Sequence, residues 1–286
     1  MNQNNETVVF YPSGHKYVHT GTGQQHTSVT TLIDKYKEPY DTEMWIRYVA
    51  VKELFGAGTA YKVRFNYPFG DTEAERFKIW ISHELSTEQA KKINKMAKAN
   101  KEKWKRKSAK ALKAGSKIHD KYERTIRGAN VILKNNIPYR PMDVFYCDRA
   151  DFTSRGVAAE TTVFNVEYLL AGRVDRVDKD GIDIELTDYK TSEYIKYENK
   201  HEKLKYPLDH LDACNGNLYD LQLNTYGWMF SQFGFNVKKL TLVHIRTGKS
   251  IPVEINFKNV ELMLKHWKEN ESTTKTKDRE STKINY

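Results

Sequence analysis

The sequence predicts an α/β or α+β fold, with a helical N-terminal half and a β-sheet in the second half. Three observations predict it. Between about Thr42 and Arg127 apolar residues recur at helical three-to-four spacing. From about Ala158 onward they alternate along segments punctuated by Asp180-Gly181 and Thr247-Gly248. A helical pattern then returns between two of those segments, from Asn217 to about Phe233, which leaves both arrangements open.

The elements follow in order. "TVVFYPSGHKYVH" reads as a small hairpin turning at Pro-Ser-Gly, and Ser28 in "TSVTTLIDKY" is placed to cap a short helix. That helix end could instead receive a phosphate, since its backbone N–H groups are unpaired. Helices are expected from about Thr42 to Phe55 and Thr72 to Glu84, interrupted by the Gly- and Pro-containing "FGAGTAYKVRFNYPFG". One or two long basic helices should span Thr87 to about Arg127, with Ile93, Met96, Trp104, Ala111, Ile118, Tyr122 and Ile126 as the apolar seam. The strands are "AAETTVFNV", a hairpin in "AGRVDRVDKDGIDIELTDYKTS" and another in "KLTLVHIRTGKSIPVEINF". The tail from Asn270 is polar and is expected to be disordered. Residues 1–86 thus form an N-terminal hairpin and helices, 87–257 the core with the basic helices, and 258–286 a terminal helix and tail.

Composition narrows the function. Of 286 residues, 39% are apolar, enough for a real core. No apolar run approaches the roughly 20 residues of a membrane helix, and "MNQNNETVVF" lacks signal-peptide order, so the protein is expected to avoid membranes and stay in the cytoplasm where it is made. Two cysteines, Cys147 and Cys214, fit a reducing compartment and cannot supply a Cys₄ zinc or iron–sulfur site. The net charge of +10 is concentrated: Lys91 to Arg127 holds 15 Lys or Arg against three acids. Such a block, including Lys101, Lys105, Arg106 and Lys110, is either a solvated helix face or a grip on a polyanion such as nucleic acid. "RTGKS" lacks the earlier glycine of a phosphate-binding loop and sits in a hairpin, so it is set aside.

One stripe of side chains does not suit a plain hairpin. By two-residue periodicity Ile182, Ile184, Leu186, Asp188 and Lys190 share a face, so an apolar row ends in a carboxylate and an ammonium, with Asp175 on the preceding strand. Paired carboxylates can hold a divalent cation, and a nearby amine can position water or stabilise charge on phosphorus. Alone, a D…DxK pattern is common and reads first as plain surface charge.

Together with its neighbours the pattern resembles the PD-(D/E)XK nuclease superfamily, specifically the RecB-type domains of helicase-nucleases, phage exonucleases and mitochondrial genome maintenance exonuclease. "GRVDRVDKDGIDIELTDYKTS" matches the core motif. "AGSKIHD" matches the upstream helix in which a glycine, Gly115, precedes a metal-binding histidine, His119. "AAETTVF" supplies Glu160, and "LYDLQLNTYGWMF" supplies the QxxxY pair Gln222 and Tyr226. The resemblance spans about Gly115 to Phe230. It implies a mixed central sheet flanked by helices. It also implies Asp175, Asp188 and His119 as ligands of Mg²⁺ or Mn²⁺, a possible further ligand in the Tyr189 carbonyl, and Lys190 as the catalytic lysine. Glu160 helps hold a second ion or pairs with a basic residue. Gln222 and Tyr226 point at the site or the DNA, or merely pack. Too few cysteines exclude the iron–sulfur version, and no helicase motif is present.

The implied activity is a metal-dependent DNA nuclease acting from DNA ends in phage-type recombination or repair, with a single-strand annealing protein as a possible partner. For a phage-encoded chain the location would be the bacterial cytoplasm. The alternatives are a sequence- or structure-specific endonuclease and a nucleic-acid-binding module without catalysis.

Overall fold

The computed structural model describes residues 7–142 and 152–283. The predicted fold class holds: a ten-stranded sheet mixes parallel and antiparallel neighbours and is accompanied by seven helices among the described residues. The chain divides into two compact units, Met1–Glu38 with Lys117–Tyr286, and Pro39–Ser116.

The larger unit begins with β1 (Val8–Tyr11) and β2 (Lys16–His19), the expected hairpin. β3 (Gln25–Ser28) follows, and sequence periodicity missed it because four residues are too few to show alternation. β3 runs parallel to the start of β7 (Leu170–Asp180), pairing Thr27 with Leu170 and Ser28 with Ala171. Those pairs tie the N-terminal hairpin to the main sheet, in the same compact unit as Lys117–Tyr286. Ser28 Oγ accepts the Thr31 N–H at 3.0 Å and caps α1 (Val29–Asp34).

In the smaller unit α2 (Thr42–Phe55) is capped by Asp41, breaks at Gly56 and resumes as α3 (Ala57–Asn66). The Gly-containing stretch is therefore helical, contrary to expectation. Its glycines sit only at the entry, Pro68 falls beyond its end, and Ala60 and Val63 bury against Met44, Val51, Phe77 and Ile93. α4 (Glu73–His83) starts with a reciprocal Thr72/Glu75 capping box. α5 (Thr87–Arg127) is a single 41-residue helix whose last turns belong to the larger unit.

The main sheet continues with β4 (Ile132–Lys134), β5 (Ile137–Met142) and β6 (Arg155–Asn165), then β7, β8 (Asp183–Lys190), β9 (Asn236–His244) and β10 (Lys249–Val253). β6, β7 and β8 are antiparallel neighbours, β8 and β9 are parallel, and β9 and β10 form the second predicted hairpin. Gly181, with φ +62°, takes the turn between β7 and β8. Ile182 is in that turn and 49% exposed, so the buried stripe starts at Ile184 and Leu186, one residue pair later than expected. Burial of those two side chains fixes the strand register, because a one-residue slip would turn both to the other face. α6 (Asn215–Gln232) packs on β9 and on α7 (Phe257–Lys283).

α7 continues through the polar segment expected to be disordered from Asn270. It contains no Gly or Pro to stop it, and the helix enters it from an ordered, apolar-faced stretch that includes Val260, Met263, Leu264 and Trp267. Residues 284–286, the end of that tail, and Cys147 lie outside the described residues. Cys214 is buried with its thiol free.

Candidate active site

The site forms where two strands part. β8 pairs with β7 from Asp180↔Asp183 up to Arg176↔Thr187 and then stops, while it stays beside β9 as far as Lys190↔His244. Beyond the fork the backbone N–H of Tyr189 has no β7 carbonyl to meet. The Asp175 carboxylate takes it, with Oδ2 accepting at 2.6 Å.

On the other side of β7 the ladder with β6 pairs Ala159 with Arg176 and Thr161 with Val174, skipping Glu160 opposite Asp175. Glu160 has φ +50°, a conformation costly for a side-chain-bearing residue and concentrated at functional positions. Its Oε2 lies 2.8 Å from Arg173, and its Oε1 lies 3.6 Å from His119 Nδ1.

His119 comes from the last turns of α5, and its Nδ1 is 2.9 Å from Asp175 Oδ1. One turn on, Tyr122 stacks on Tyr189 with centroids 4.2 Å apart, which fixes this end of α5 on the strand fork. His119, Glu160 and Asp175 can each offer one ligand atom within 4.8 Å of the others.

Their charges are strongly coupled. Burial, then the Asp188 charge, push the Asp175 carboxyl up to about 6. Hydrogen bonds to Asp175 and then Glu160 raise His119 from 6.5 to about 10 against the opposing effect of burial. Near neutral pH the imidazole is thus held as a cation by two carboxylates. A divalent cation would meet the same negative charge. Carboxylate oxygens joined by one imidazole nitrogen are a donor set that can hold a divalent cation.

Asp188 stands outside that 4.8 Å cluster, although sequence reasoning ranks it ahead of Glu160. It is 4% exposed. Lys190 Nζ lies 2.7 Å from its Oδ2 as an ion pair, off the direction of a hydrogen bond, so this buried oxygen has no hydrogen-bond donor. The Lys190 ammonium therefore compensates the charge of this oxygen without a directed hydrogen bond.

Lys190 donates to Gln222 Oε1 at 2.8 Å and lies 4.3 Å from the centroid of the Tyr219 ring. Gln222 Nε2 in turn donates to the Tyr226 hydroxyl at 2.8 Å. Gln222 therefore reaches the site, whereas Tyr226 is buried in the core, and burial raises its phenol well above its ordinary value. Tyr189, expected to lend its carbonyl to an ion, makes its contact with Asp175 through its N–H.

Sequence reasoning missed three contributors. Arg173, two residues before Asp175 and so on its face of the strand, pairs with Glu160. Tyr219, one turn before Gln222, floors the Lys190 ammonium. Gly172 admits Tyr226: a Cβ there would lie 2.3 Å from Tyr226 Cε1. Gly172→Ala is accordingly expected to lower stability by about 1–3 kcal/mol through overpacking, read as a fall in Tm. An unchanged Tm would show that the ring can yield.

The remaining predicted residues are elsewhere. Ser28 is occupied as the α1 cap. Lys101, Lys105, Arg106 and Lys110 belong to the smaller unit and are exposed on α5, and Lys101 Nζ is 2.6 Å from Glu43 Oε1. No helix among the described residues is long and apolar enough to cross a membrane.

No curated protein matches the chain. The family model of the PD-(D/E)XK nuclease superfamily matches residues 73–282, a span that contains the strand fork, His119, Glu160, Lys190 and Gln222. With a mixed sheet, buried carboxylates at the fork and a lysine two residues past the second of them, the chain belongs to the PD-(D/E)XK nuclease superfamily.

Proposed function

We propose that the chain is a RecB-type, Mg²⁺- or Mn²⁺-dependent deoxyribonuclease that degrades DNA from its ends. The observation that carries this reading is the partly buried His119–Glu160–Asp175 cluster beside a lysine held by Gln222 and Asp188. The superfamily's members are typically metal-dependent nucleases, and a nuclease of this superfamily acts on DNA.

His119, Glu160 and Asp175 would hold the ion, with Asp188 and the Tyr189 carbonyl as further ligands. A bound divalent ion would supply Lewis acidity and a water ionised near neutral pH. The chain's own residues do the rest. Asp188, Gln222 and Tyr219 hold the Lys190 ammonium in place before substrate arrives, so its charge meets the negative charge growing on the phosphoryl oxygens without reorganisation. Arg173 anchors one oxygen of Glu160 and leaves the other turned to His119.

Two features favour ends over internal sequence-specific sites. Twelve of the 15 basic residues between Lys91 and Arg127 are lysine, suited to gripping phosphate as point charges more than to bidentate base readout. Lys105, Arg106 and Lys110 are proposed to hold the backbone in this way. Nor does any described element resemble a separate groove-reading module. A place in phage-type recombination or repair beside a single-strand annealing protein, in a bacterial cytoplasm, rests on the RecB-type resemblance alone.

The test compares linear duplex, closed circular duplex and linear duplex sealed by hairpins at both ends, at equal nucleotide concentration with Mg²⁺. Digestion of the open linear form alone is expected. Equal cutting of all three, or a ladder of discrete internal fragments, would favour the endonuclease instead.

A further inference from the structure

Residues 39–72 of the smaller unit precede the family match, yet they carry a connected row of aromatic surfaces. On α3, Tyr61 and Phe65 are one turn apart with ring centroids 4.8 Å apart, and they are 56% and 46% exposed. The Arg64 guanidinium lies 4.6 Å from the Phe65 centroid and 4.7 Å from that of Trp45. Glu73 fixes the plane of that guanidinium by accepting from Nε at 2.7 Å. Trp45 stacks on Tyr40 with planes 6° apart and centroids 6.3 Å apart. Tyr40, 64% exposed, also approaches Trp104 of α5 at 6.4 Å.

Singly exposed aromatics on a surface are ordinary. A row from Tyr61 to Trp104 without a gap is not explained that way, because its outer rings bury little against the core. Positive charge predominates beside it, although Glu73 pairs with Arg64 and Glu43 with Lys101. No acid occurs between Gly56 and Gly70, where Lys62 and Arg64 lie, and Lys91 to Lys110 holds ten Lys or Arg with one acid, Glu102. Trp104 sits in the middle of that run, so π-surface and positive charge meet on one helix.

A duplex offers the charge but hides the faces of its bases in its own stack. Only an unpaired strand presents phosphates and free base faces together. From this we infer that the smaller unit is a binding surface for single-stranded DNA, with bases stacking on the exposed Tyr40, Tyr61 and Phe65 rings and phosphates lying along the lysines of α5. This names the substrate class of the nuclease proposed above and rests on that reading. The binding itself needs no chemistry.

The test uses the full chain in EDTA and follows the anisotropy of a fluorescein-labelled oligothymidylate and of a hairpin-sealed duplex. Removing a stacking ring weakens single-strand binding by about tenfold. Tyr40→Ala/Tyr61→Ala/Phe65→Ala is therefore expected to raise the oligothymidylate Kd by well over tenfold while the duplex Kd stays within about twofold. Tyr61→Phe/Phe65→Tyr, which keeps the rings, should bind as the unaltered chain does and shows that the positions tolerate change. Lys105→Ala/Lys110→Ala should weaken both ligands alike and flatten the salt dependence of each. Equal weakening of both ligands by the triple variant, or unchanged oligothymidylate binding, would overturn the inference. Selective binding by a chain that digests no DNA with Mg²⁺ would instead overturn the nuclease reading alone.

Discussion

Lys190→Met should reduce Mg²⁺-dependent DNA cleavage by about 10²–10³-fold, the usual cost of removing one preorganised electrostatic group from a reacting centre. The side chain has no other evident purpose at its position. Ile184 and Leu186 complete the buried stripe of β8 before it, and the ammonium spends its contacts on Asp188, Gln222 and the face of Tyr219. Methionine keeps most of the stem that packs on Tyr219 and deletes only the charge. The structure also adds a cost that the bare motif conceals. Without Lys190 the buried Asp188 loses its ion-pair partner, and leaving a buried charge uncompensated destabilises by about 3–5 kcal/mol. Activity must therefore be measured by single turnover below the lowered Tm, with circular dichroism confirming the fold. Lys190→Met/Asp188→Asn separates the two effects, since it removes the stranded charge along with its partner. It should recover much of the lost stability and none of the activity. A folded Lys190→Met that cuts at the unaltered rate would remove the central claim.

What the sequence could tell about this site depended on how each residue reaches it. Asp188 and Lys190 were legible because strand alternation is local: two residues of spacing place them on one face whatever surrounds them. The same reasoning identified Asp175, one turn back along the hairpin. His119 is 56 residues from Asp175, and no periodicity in α5 marks it; only the resemblance of "AGSKIHD" singled it out. The fork itself was invisible, because whether β8 stays with β7 or leaves it for β9 is settled by long-range packing of α6 and β9. The left-handed backbone at Glu160 was equally hidden, since nothing in "AAETTVF" requires a turn of the chain there. Glu160, which the resemblance left between holding a second ion and pairing with a basic residue, offers a ligand atom within 4.8 Å of those of His119 and Asp175. The same limit explains β3, whose four residues gain their strand from two pairs with β7. In the smaller unit, helix α3 was masked by glycines that turn out to sit at its entry.

Asp175→Asn should weaken Mn²⁺ binding more than any other single change, by about 100-fold, because Asp175 links the strand fork, the His119 imidazole and the other carboxylates. It receives the Tyr189 N–H, contacts His119 Nδ1 and feels the Asp188 charge. The substitution is mild for the fold. The asparagine carbonyl can still accept the Tyr189 N–H, so the fork keeps that hydrogen bond, while the charge and the acceptor facing His119 Nδ1 are lost. His119→Ala should cost less, about tenfold, since it deletes an imidazole that must give up its proton to bind the ion and leaves the carboxylates in place. Glu160→Gln and Asp188→Asn then test which second carboxylate matters. If the ion sits among His119, Glu160 and Asp175, which lie within 4.8 Å of one another, Glu160→Gln should weaken binding more than Asp188→Asn. If the Asp188 oxygen now paired with Lys190 turns to an ion shared with Asp175, the order should reverse. Calorimetric titration of Mn²⁺ into each folded variant, without DNA, ranks the four. Because it reads binding and not turnover, it stays informative even where cleavage is abolished. Binding by Asp175→Asn equal to that of the unaltered chain would place the ion away from the strand fork altogether.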